Sequence, residues 1–201
     1  MTSSITLTSD DLRLEALLNT KSRTKAVVIT HPHPLHGGNM HNAVVDLIAG
    51  VYEDGGWTTL RFNFRGTGGS QGNFDEGVGE QRDLQAAIEY LRGQGYAGID
   101  LAGYSFGAWV IARWTQANTG AGHRIFLVSP PVAFLDFDGI ASIPGLEAVF
   151  VGSRDMFGPA EQIETCVPRW RSGAGLHLIE GADHFFSHHA QQLRSAIARA
   201  V

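Results

Sequence analysis

The sequence predicts an α/β protein with a doubly wound, mostly parallel sheet of about eight strands flanked by helices. Short apolar runs alternate with amphipathic stretches through the middle of the chain, which is the pattern of parallel strands joined by helices. Glycine-rich loops follow several of these runs. The 201 residues contain no internal repeat or linker, so we expect one domain over residues 1–201.

The elements follow in chain order. The opening segment, ITLTSDDLRLEALL at residues 5–18, predicts an antiparallel hairpin that leads into the sheet. Further apolar runs predict strands at 26–30, 58–64, 98–104, 124–130, 146–152 and 175–181. Amphipathic stretches predict helices at 42–56, around 81–92, at 106–116 and at 188–200. We interpret Asp75, Glu76 and Glu80 as a solvated helix start, where acidic side chains suit the helix dipole.

Composition limits the classes of partner. The formal net charge is −5, which offers no basic face to nucleic acid or anionic lipid. No apolar run reaches the ~18 residues that cross a bilayer, and the first residues lack the pattern of a signal peptide. Cys166 is the only cysteine, so no internal disulfide can form. We therefore expect a cytoplasmic protein that binds neither nucleic acid nor membrane; its oligomeric state is not predicted.

The strongest chemical signal is the G-x-S-x-G sequence at residues 103–107, between a predicted strand and a predicted helix. So sharp a turn strains the backbone of Ser105 and brings the residues two before and two after it close together. Only Gly103 and Gly107 are small enough for those positions. The turn lifts the Ser105 hydroxyl above the sheet, at the positive end of the next helix. We expect Ser105 to be a nucleophile.

A serine hydroxyl needs a neighbouring base to take its proton. His184 lies in the loop GADHFF that leaves the last predicted strand, at the edge of the sheet where Ser105 is expected. His177 lies inside a strand, and His123 lies at the opposite end of its strand. We therefore predict that His184 is the base.

The base in turn needs a carboxylate that fixes its tautomer. Asp155 directly follows the penultimate strand, and the chain order Ser, Asp, His fits a hydrolase. Asp136 and Asp138 are rivals, because a carboxylate in the loop after the 124–130 strand could reach the same histidine. We expect the side chain of Asp183, which adjoins His184, to point elsewhere.

Five loop motifs at five strand ends carry a resemblance: HPHPLHGG, RFNFRGTGGSQG, GYSFG, GSRD and GADHFF. From about Ala26 to the C-terminus the chain resembles the α/β-hydrolase superfamily, in its small branch without a lid, near dienelactone hydrolases and prolyl-oligopeptidase-like domains. The resemblance implies a Ser105–His184–Asp155 triad and no cofactor. The segment between the strands 124–130 and 146–152 is too short for a large helical lid. Phe134, Leu135 and Phe137 in that segment could form an apolar wall.

The oxyanion hole of such a site needs two N–H donors. One should be the amide of Phe106, the residue after the nucleophile. The other should come from the loop after residues 26–30, where the sequence 31–34 is His-Pro-His-Pro and the prolines have no N–H. We expect His33 to donate, with Leu35 or His36 as alternatives.

The predicted function is a serine hydrolase that cleaves an ester, thioester or amide bond of a small acyl substrate. A binding protein that kept this fold without turnover is the alternative, because fold does not fix function. A nucleotide-binding oxidoreductase is disfavoured, since RGTGGSQG matches neither a Walker A nor a G-x-G-x-x-G sequence. The histidines at 31, 33, 36 and 41 could form a metal site, but no cysteine pair or H-E-x-x-H accompanies them, and we predict no metal.

Overall fold

The apolar runs form the centre of one eight-stranded sheet in the computed structural model, which describes residues 2–201. The strands are β1 (Thr2–Ser9), β2 (Leu12–Asn19), β3 (Lys25–Thr30), β4 (Thr58–Phe62), β5 (Gly98–Tyr104), β6 (Ile125–Val128), β7 (Leu146–Gly152) and β8 (Gly175–Ile179). Their order across the sheet is β1-β2-β4-β3-β5-β6-β7-β8. The pairs β1–β2 and β2–β4 are antiparallel, and all the others are parallel. The predicted N-terminal hairpin is therefore confirmed.

Five helices cover the two faces of the sheet: α1 (Ala43–Asp54), α2 (Val78–Gly93), α3 (Phe106–Ala117), α4 (Ala160–Trp170) and α5 (Ala190–Ala198). Alternate residues of a strand point to opposite faces. Val28 on β3 belongs to the core beneath α2, α3 and α4, whereas Val27 and Ile29 belong to the core beneath α1 and α5. Burial on both faces explains why the central strands are almost continuously apolar. The predicted fold class is confirmed.

Helix α4 was not predicted from the sequence. It begins after Pro159 and contains Pro168, which cannot donate a backbone hydrogen bond and interrupts the expected pattern. The helix is held by burial of Ile163, Val167 and Trp170 on one face. These three positions have helical spacing, so the signal was present.

The expectation that Glu80 is solvated is wrong. Its side chain is fully buried, and its carboxylate accepts hydrogen bonds from the backbone N–H groups of Asp75 and Gly77 at 2.9 and 2.8 Å. These bonds satisfy donors at the start of α2. Burial raises the pKa of Glu80, although the backbone bonds oppose that shift.

Residues 129–145, between β6 and β7, contain no helix or strand, so the segment forms no large lid. No helix within residues 2–201 is both long and apolar enough to span a bilayer. The carboxyl ends of the six parallel strands, β3 to β8, lie along one side of the sheet. Loops that leave this side carry most of the candidate site residues.

Candidate active site

The turn between β5 and α3 holds Ser105 in a strained conformation. Its φ is 54° and its ψ is −118°, in a region that non-glycine residues rarely occupy. A Cβ atom at Gly103 would lie 2.7 Å from the backbone N of Ala108, and one at Gly107 would lie 2.7 Å from the backbone of Thr30. Both distances are too short for a real side chain, so the expected steric need for two glycines is confirmed.

The structure brings Ser105, His184 and Asp155 together. His184 Nε2 lies 2.9 Å from Ser105 Oγ, and His184 Nδ1 lies 2.8 Å from Asp155 Oδ2. All three residues are buried, with exposed fractions of 8%, 6% and 3% in the order Ser105, His184, Asp155. Because the Asp155 carboxylate accepts a hydrogen bond from Nδ1–H, His184 presents the lone pair of Nε2 to the serine hydroxyl.

Asp155 is held by its own loop as well as by His184. Its Oδ1 accepts hydrogen bonds from the backbone N–H groups of Phe157 and Gly158, both at 2.9 Å. Burial alone would raise the pKa of Asp155, but the hydrogen bond and electrostatic interaction with His184, together with the Gly158 amide, outweigh it. The net effect is a lowered pKa. Asp155 is therefore ionised at neutral pH.

The rival carboxylates are used elsewhere. Asp136 Oδ1 accepts the N–H of Asp138 at 2.8 Å in a turn, and both residues are exposed. Asp183 Oδ1 accepts the N–H groups of Phe185 and Ser187 at 3.1 and 3.3 Å, within its own loop. The expectation that Asp183 points away from its neighbour is confirmed.

Tyr104, the residue before the serine, makes a contact with the His184 loop that was not predicted from the sequence. Its hydroxyl donates a hydrogen bond of 3.1 Å to the backbone oxygen of His184, and the two rings lie 5.6 Å apart. Burial, followed by the charges of Asp155 and Asp183, raises the pKa of Tyr104 well above its ordinary value. The hydroxyl therefore remains protonated and donates to the histidine loop.

The loop after β3 is folded around His33. A short 3₁₀ helix, Pro34–His36, follows it. The N–H of His36 donates to the backbone oxygen of His33 at 3.0 Å, and the N–H of Leu35 donates to His33 Nδ1 at 3.2 Å. Both alternative oxyanion donors are thus engaged in the loop itself. His33 and Phe106 line the same pocket, with ring centroids 4.9 Å apart.

His31 is a structural residue. It is fully buried, its Nε2 accepts the N–H of Phe64 at 3.0 Å, and its Nδ1 lies 2.6 Å from the oxygen of Pro32. Burial lowers its pKa to about 4, against the opposing effect of the Pro32 bond. Within residues 2–201 no three His, Cys, Asp or Glu side chains are grouped so that they could hold a metal ion.

The glycine-rich loop after β4 supports its neighbours. Asn63 Oδ1 accepts the N–H of Met40 at 2.8 Å, and Asn63 Nδ2 donates to Glu15 at 2.8 Å. Glu15 also accepts the N–H of Gly69 at 2.8 Å. These bonds connect the loop after β3 to the N-terminal hairpin and so fix the loops that flank Ser105.

A pocket of about 350 Å³ opens above Ser105. Phe134, Leu135 and Phe157 line one side of it together with Phe185. The prediction that Phe137 belongs to this wall is wrong, because Phe137 is buried with its ring 5.4 Å from that of Trp170. The side chain thus faces the core beneath α4, an element that was not predicted.

The sheet is mostly parallel, and a strained serine follows one of its central strands. Loops that carry an aspartate and a histidine come later in the chain, in that order. These features define the class of α/β hydrolases. The chain belongs to the α/β-hydrolase superfamily. It is 35% identical over 188 residues to an uncharacterised protein of Rickettsia prowazekii, covering 89% of this chain and 79% of that one. A scan against protein-family models finds no match.

Two solved structures support the assignment. An α/β serine hydrolase homologue from Coxiella burnetii is 33% identical, with a TM-score of 0.88 and coverage of 98% of this chain and 96% of that one. A serine hydrolase without a lid from Xanthomonas campestris is 30% identical, with a TM-score of 0.90 and coverage of 100% and 93%. The likeness therefore extends over the whole sheet and its helices.

Proposed function

We propose that this protein is a serine hydrolase that cleaves an ester-type acyl bond of a small substrate through an acyl-enzyme on Ser105. The hydrogen-bonded chain from Asp155 through His184 to Ser105 is the observation that carries the proposal. Thioesters and amides have the same electrophilic carbonyl and are substrates in principle. All eight strands form one sheet, and we propose that residues 1–201 act as one catalytic domain.

In the first half-reaction, Ser105 Oγ attacks the acyl carbon while His184 Nε2 takes the hydroxyl proton. A bond forms between Oγ and the acyl carbon, and the carbonyl electrons move to its oxygen. When the tetrahedral intermediate collapses, the bond from the acyl carbon to the leaving oxygen breaks. His184 gives its proton to that oxygen, so the alcohol leaves neutral.

In the second half-reaction, water attacks the acyl carbon of the Ser105 ester while His184 takes a proton from it. The bond between the acyl carbon and Oγ then breaks, and His184 returns the proton to Ser105. Asp155 stabilises the imidazolium in both half-reactions without itself being protonated, in keeping with its lowered pKa. The products are an alcohol and a carboxylic acid.

The oxyanion is held by the amides of Phe106 and His33 in this proposal. Phe106 is the first residue of α3, where the helix dipole favours negative charge. The engagement of the Leu35 and His36 amides within their loop supports His33 as the second donor. Each such donor contributes about 10²–10³ in rate.

The proposal is tested by reaction with a fluorophosphonate, followed by intact-mass measurement on wild type, Ser105→Ala and His184→Ala. We expect one adduct on wild type, none on Ser105→Ala, and labelling slowed by at least about 10²-fold on His184→Ala. Ser142→Ala is the matched control, because Ser142 is an exposed serine between β6 and β7 that does not line the pocket.

Hydrolysis of 4-nitrophenyl acetate by the same four proteins completes the test. We expect activity in wild type and Ser142→Ala only. A folded wild-type protein that forms no adduct and hydrolyses no ester would contradict the proposal and favour the binding-protein alternative.

A further inference from the structure

The pocket above Ser105 carries no fixed charge. None of the described residues that line it is an aspartate, glutamate, lysine or arginine. Its ionisable side chains are three histidines and Tyr104. Burial, with the neighbouring His36, lowers the pKa of His33. Because no lysine or arginine is among the described residues that line the pocket, its walls offer no permanent cation to an anionic substrate group.

One wall of the pocket is made of aromatic rings that contact the His184 ring and one another. The Phe157 ring lies 4.7 Å from that of His184, and the Phe185 ring lies 5.4 Å from it. The Phe134 ring lies 5.6 Å from that of Phe157. Phe134 and Phe185 nevertheless remain 52% and 60% exposed, so they have apolar surface that a ligand can cover.

Several exposed apolar side chains line this pocket or adjoin its lining residues in sequence. Six large hydrophobic residues of the described chain are exposed, and two of them, Phe134 and Phe185, line the pocket. Two more, Leu35 and Met156, are sequence neighbours of the lining residues His36 and Phe157. Exposed apolar side chains that line a concave site are typical of a ligand-binding surface.

We propose that the acyl group accepted by this site is uncharged and apolar, and that Phe134 and Phe185 set this specificity. The inference rests on the proposed function. In an acyl-enzyme the acyl group stays bonded to Ser105 Oγ after the alcohol has left, so the pocket around Ser105 must hold it. When an apolar acyl group covers the uncharged aromatic wall, apolar surface is removed from water, which favours binding. The wall has no charged partner for a carboxylate.

Loss of hydration should make the site discriminate strongly against an anionic acyl group in favour of an uncharged one. An anionic group that enters an apolar site without a counter-ion loses its hydration and gains no compensating bond. We expect this loss to lower kcat/KM by at least about 100-fold relative to an uncharged acyl group of the same size. Each methylene that the wall covers should raise kcat/KM by about fourfold.

The first experiment compares ethyl butyrate with monoethyl succinate in a pH-stat at about pH 8. The alcohol is the same, and the acyl groups differ by a methyl against a carboxylate. We expect wild type to prefer ethyl butyrate by at least about 100-fold. Equal kcat/KM values for the two esters would overturn the inference while leaving the hydrolase proposal intact.

The second experiment supplies the missing cation. Phe134 is half exposed, so Phe134→Arg should fold, and we expect it to raise the succinate-to-butyrate ratio of kcat/KM at least about tenfold. Leu178→Arg is the matched control, because Leu178 is an exposed residue of β8 that does not line this pocket. An unchanged ratio in Phe134→Arg would overturn the role of Phe134.

The third experiment measures how kcat/KM depends on acyl chain length, with 4-nitrophenyl acetate, propionate and butyrate as substrates. Phe134→Ala and Phe185→Ala should flatten the rise of kcat/KM with chain length, whereas Leu178→Ala should keep it. An unaltered rise in both phenylalanine variants would overturn the inference. Absence of both fluorophosphonate labelling and ester hydrolysis in wild type would instead overturn the proposed function, and the specificity with it.

Discussion

The hydroxyl of Tyr104 donates a hydrogen bond of 3.1 Å to the backbone oxygen of His184, across 80 residues of sequence. The residue that precedes the strained serine thus also holds the loop of the proposed base. Both partners of the Ser105–His184 contact are therefore held in part from the end of β5, while Asp155 holds His184 from the end of β7.

Replacement Tyr104→Phe keeps the buried ring and removes this bond. We expect kcat for 4-nitrophenyl acetate to fall about 3- to 10-fold with KM little changed, because a neutral hydrogen bond is worth about 0.5–1.5 kcal/mol. Steady-state kinetics check the kcat value, and the rate of fluorophosphonate labelling should fall by the same factor. An unchanged labelling rate would show that the bond does not position His184.

Replacement Asp155→Asn should lower kcat by about 10³–10⁴-fold, because the amide favours the wrong tautomer of His184. Circular dichroism checks that the variant remains folded. Asp136→Asn is the control, since Asp136 was the sequence-based rival and is bonded within its own turn. A large loss in Asp136→Asn, with Asp155→Asn near wild type, would reverse the assignment.

The second oxyanion donor can be tested with two variants that both lose the imidazole of His33 and differ in the backbone N–H. His33 has φ −57° and ψ 121°, which proline can adopt, so His33→Pro deletes the N–H with little backbone change. His33→Ala loses the same imidazole but keeps the N–H. We expect kcat of His33→Pro to be about 10²–10³-fold below that of His33→Ala. Equal kcat values would mean that another group is the donor.

Stability should depend on pH through His31. Its pKa in the folded chain is about 4, below the ordinary 6.5, so the unfolded chain binds a proton that the folded chain does not between these values. Stability is therefore lost as pH falls, by about 2 kcal/mol from pH 8 to about pH 5.

Urea unfolding of wild type and His31→Gln at the two pH values measures this effect. The variant is less stable throughout, because it loses the bond to Phe64, but its free energy of unfolding should change less with pH. The exposed His41→Gln is the control and should keep the wild-type slope. Identical slopes in wild type and His31→Gln would contradict the assignment.

Replacement Gly107→Ala should destabilise the fold by about 2–3 kcal/mol, because its Cβ would lie 2.7 Å from the backbone of Thr30. Gly93→Ala is a control of opposite sign. A Cβ at Gly93 meets nothing within 4 Å, and the residue ends helix α2. We expect it to gain up to about 1 kcal/mol. Thermal unfolding would falsify the steric argument if both variants shifted equally.

The strands and the serine turn were predictable because their signals are local. The apolar run of β3 and the two glycines that flank Ser105 each stand within a few residues of sequence, although burial between helices and the approach of Thr30 explain them. The choice of Asp155 over Asp136 and Asp138 rested on chain order and position at a strand end. The contact of Asp155 with His184, which distinguishes Asp155 from the two rivals, exists only in the assembled sheet.

Three other features were missed, each for a different reason. The burial of Glu80 depends on the turn that presents Asp75 and Gly77 to it, and a carboxylate at a helix start is more often solvated. The Tyr104 bond requires the His184 loop, which follows β8, three strands away from β5 across the sheet. Helix α4 did have helical spacing, but Pro168 concealed it.

The proposed base follows β8, which lies at the edge of the sheet and has only one buried residue, Ile179. Edge elements with few buried contacts open at lower free energy than the whole fold. Reactivity of Ser105 should therefore disappear at lower urea concentrations than the far-ultraviolet signal of the helices. Loss of reactivity would then report fraying of one sheet edge while most of the molecule remains native.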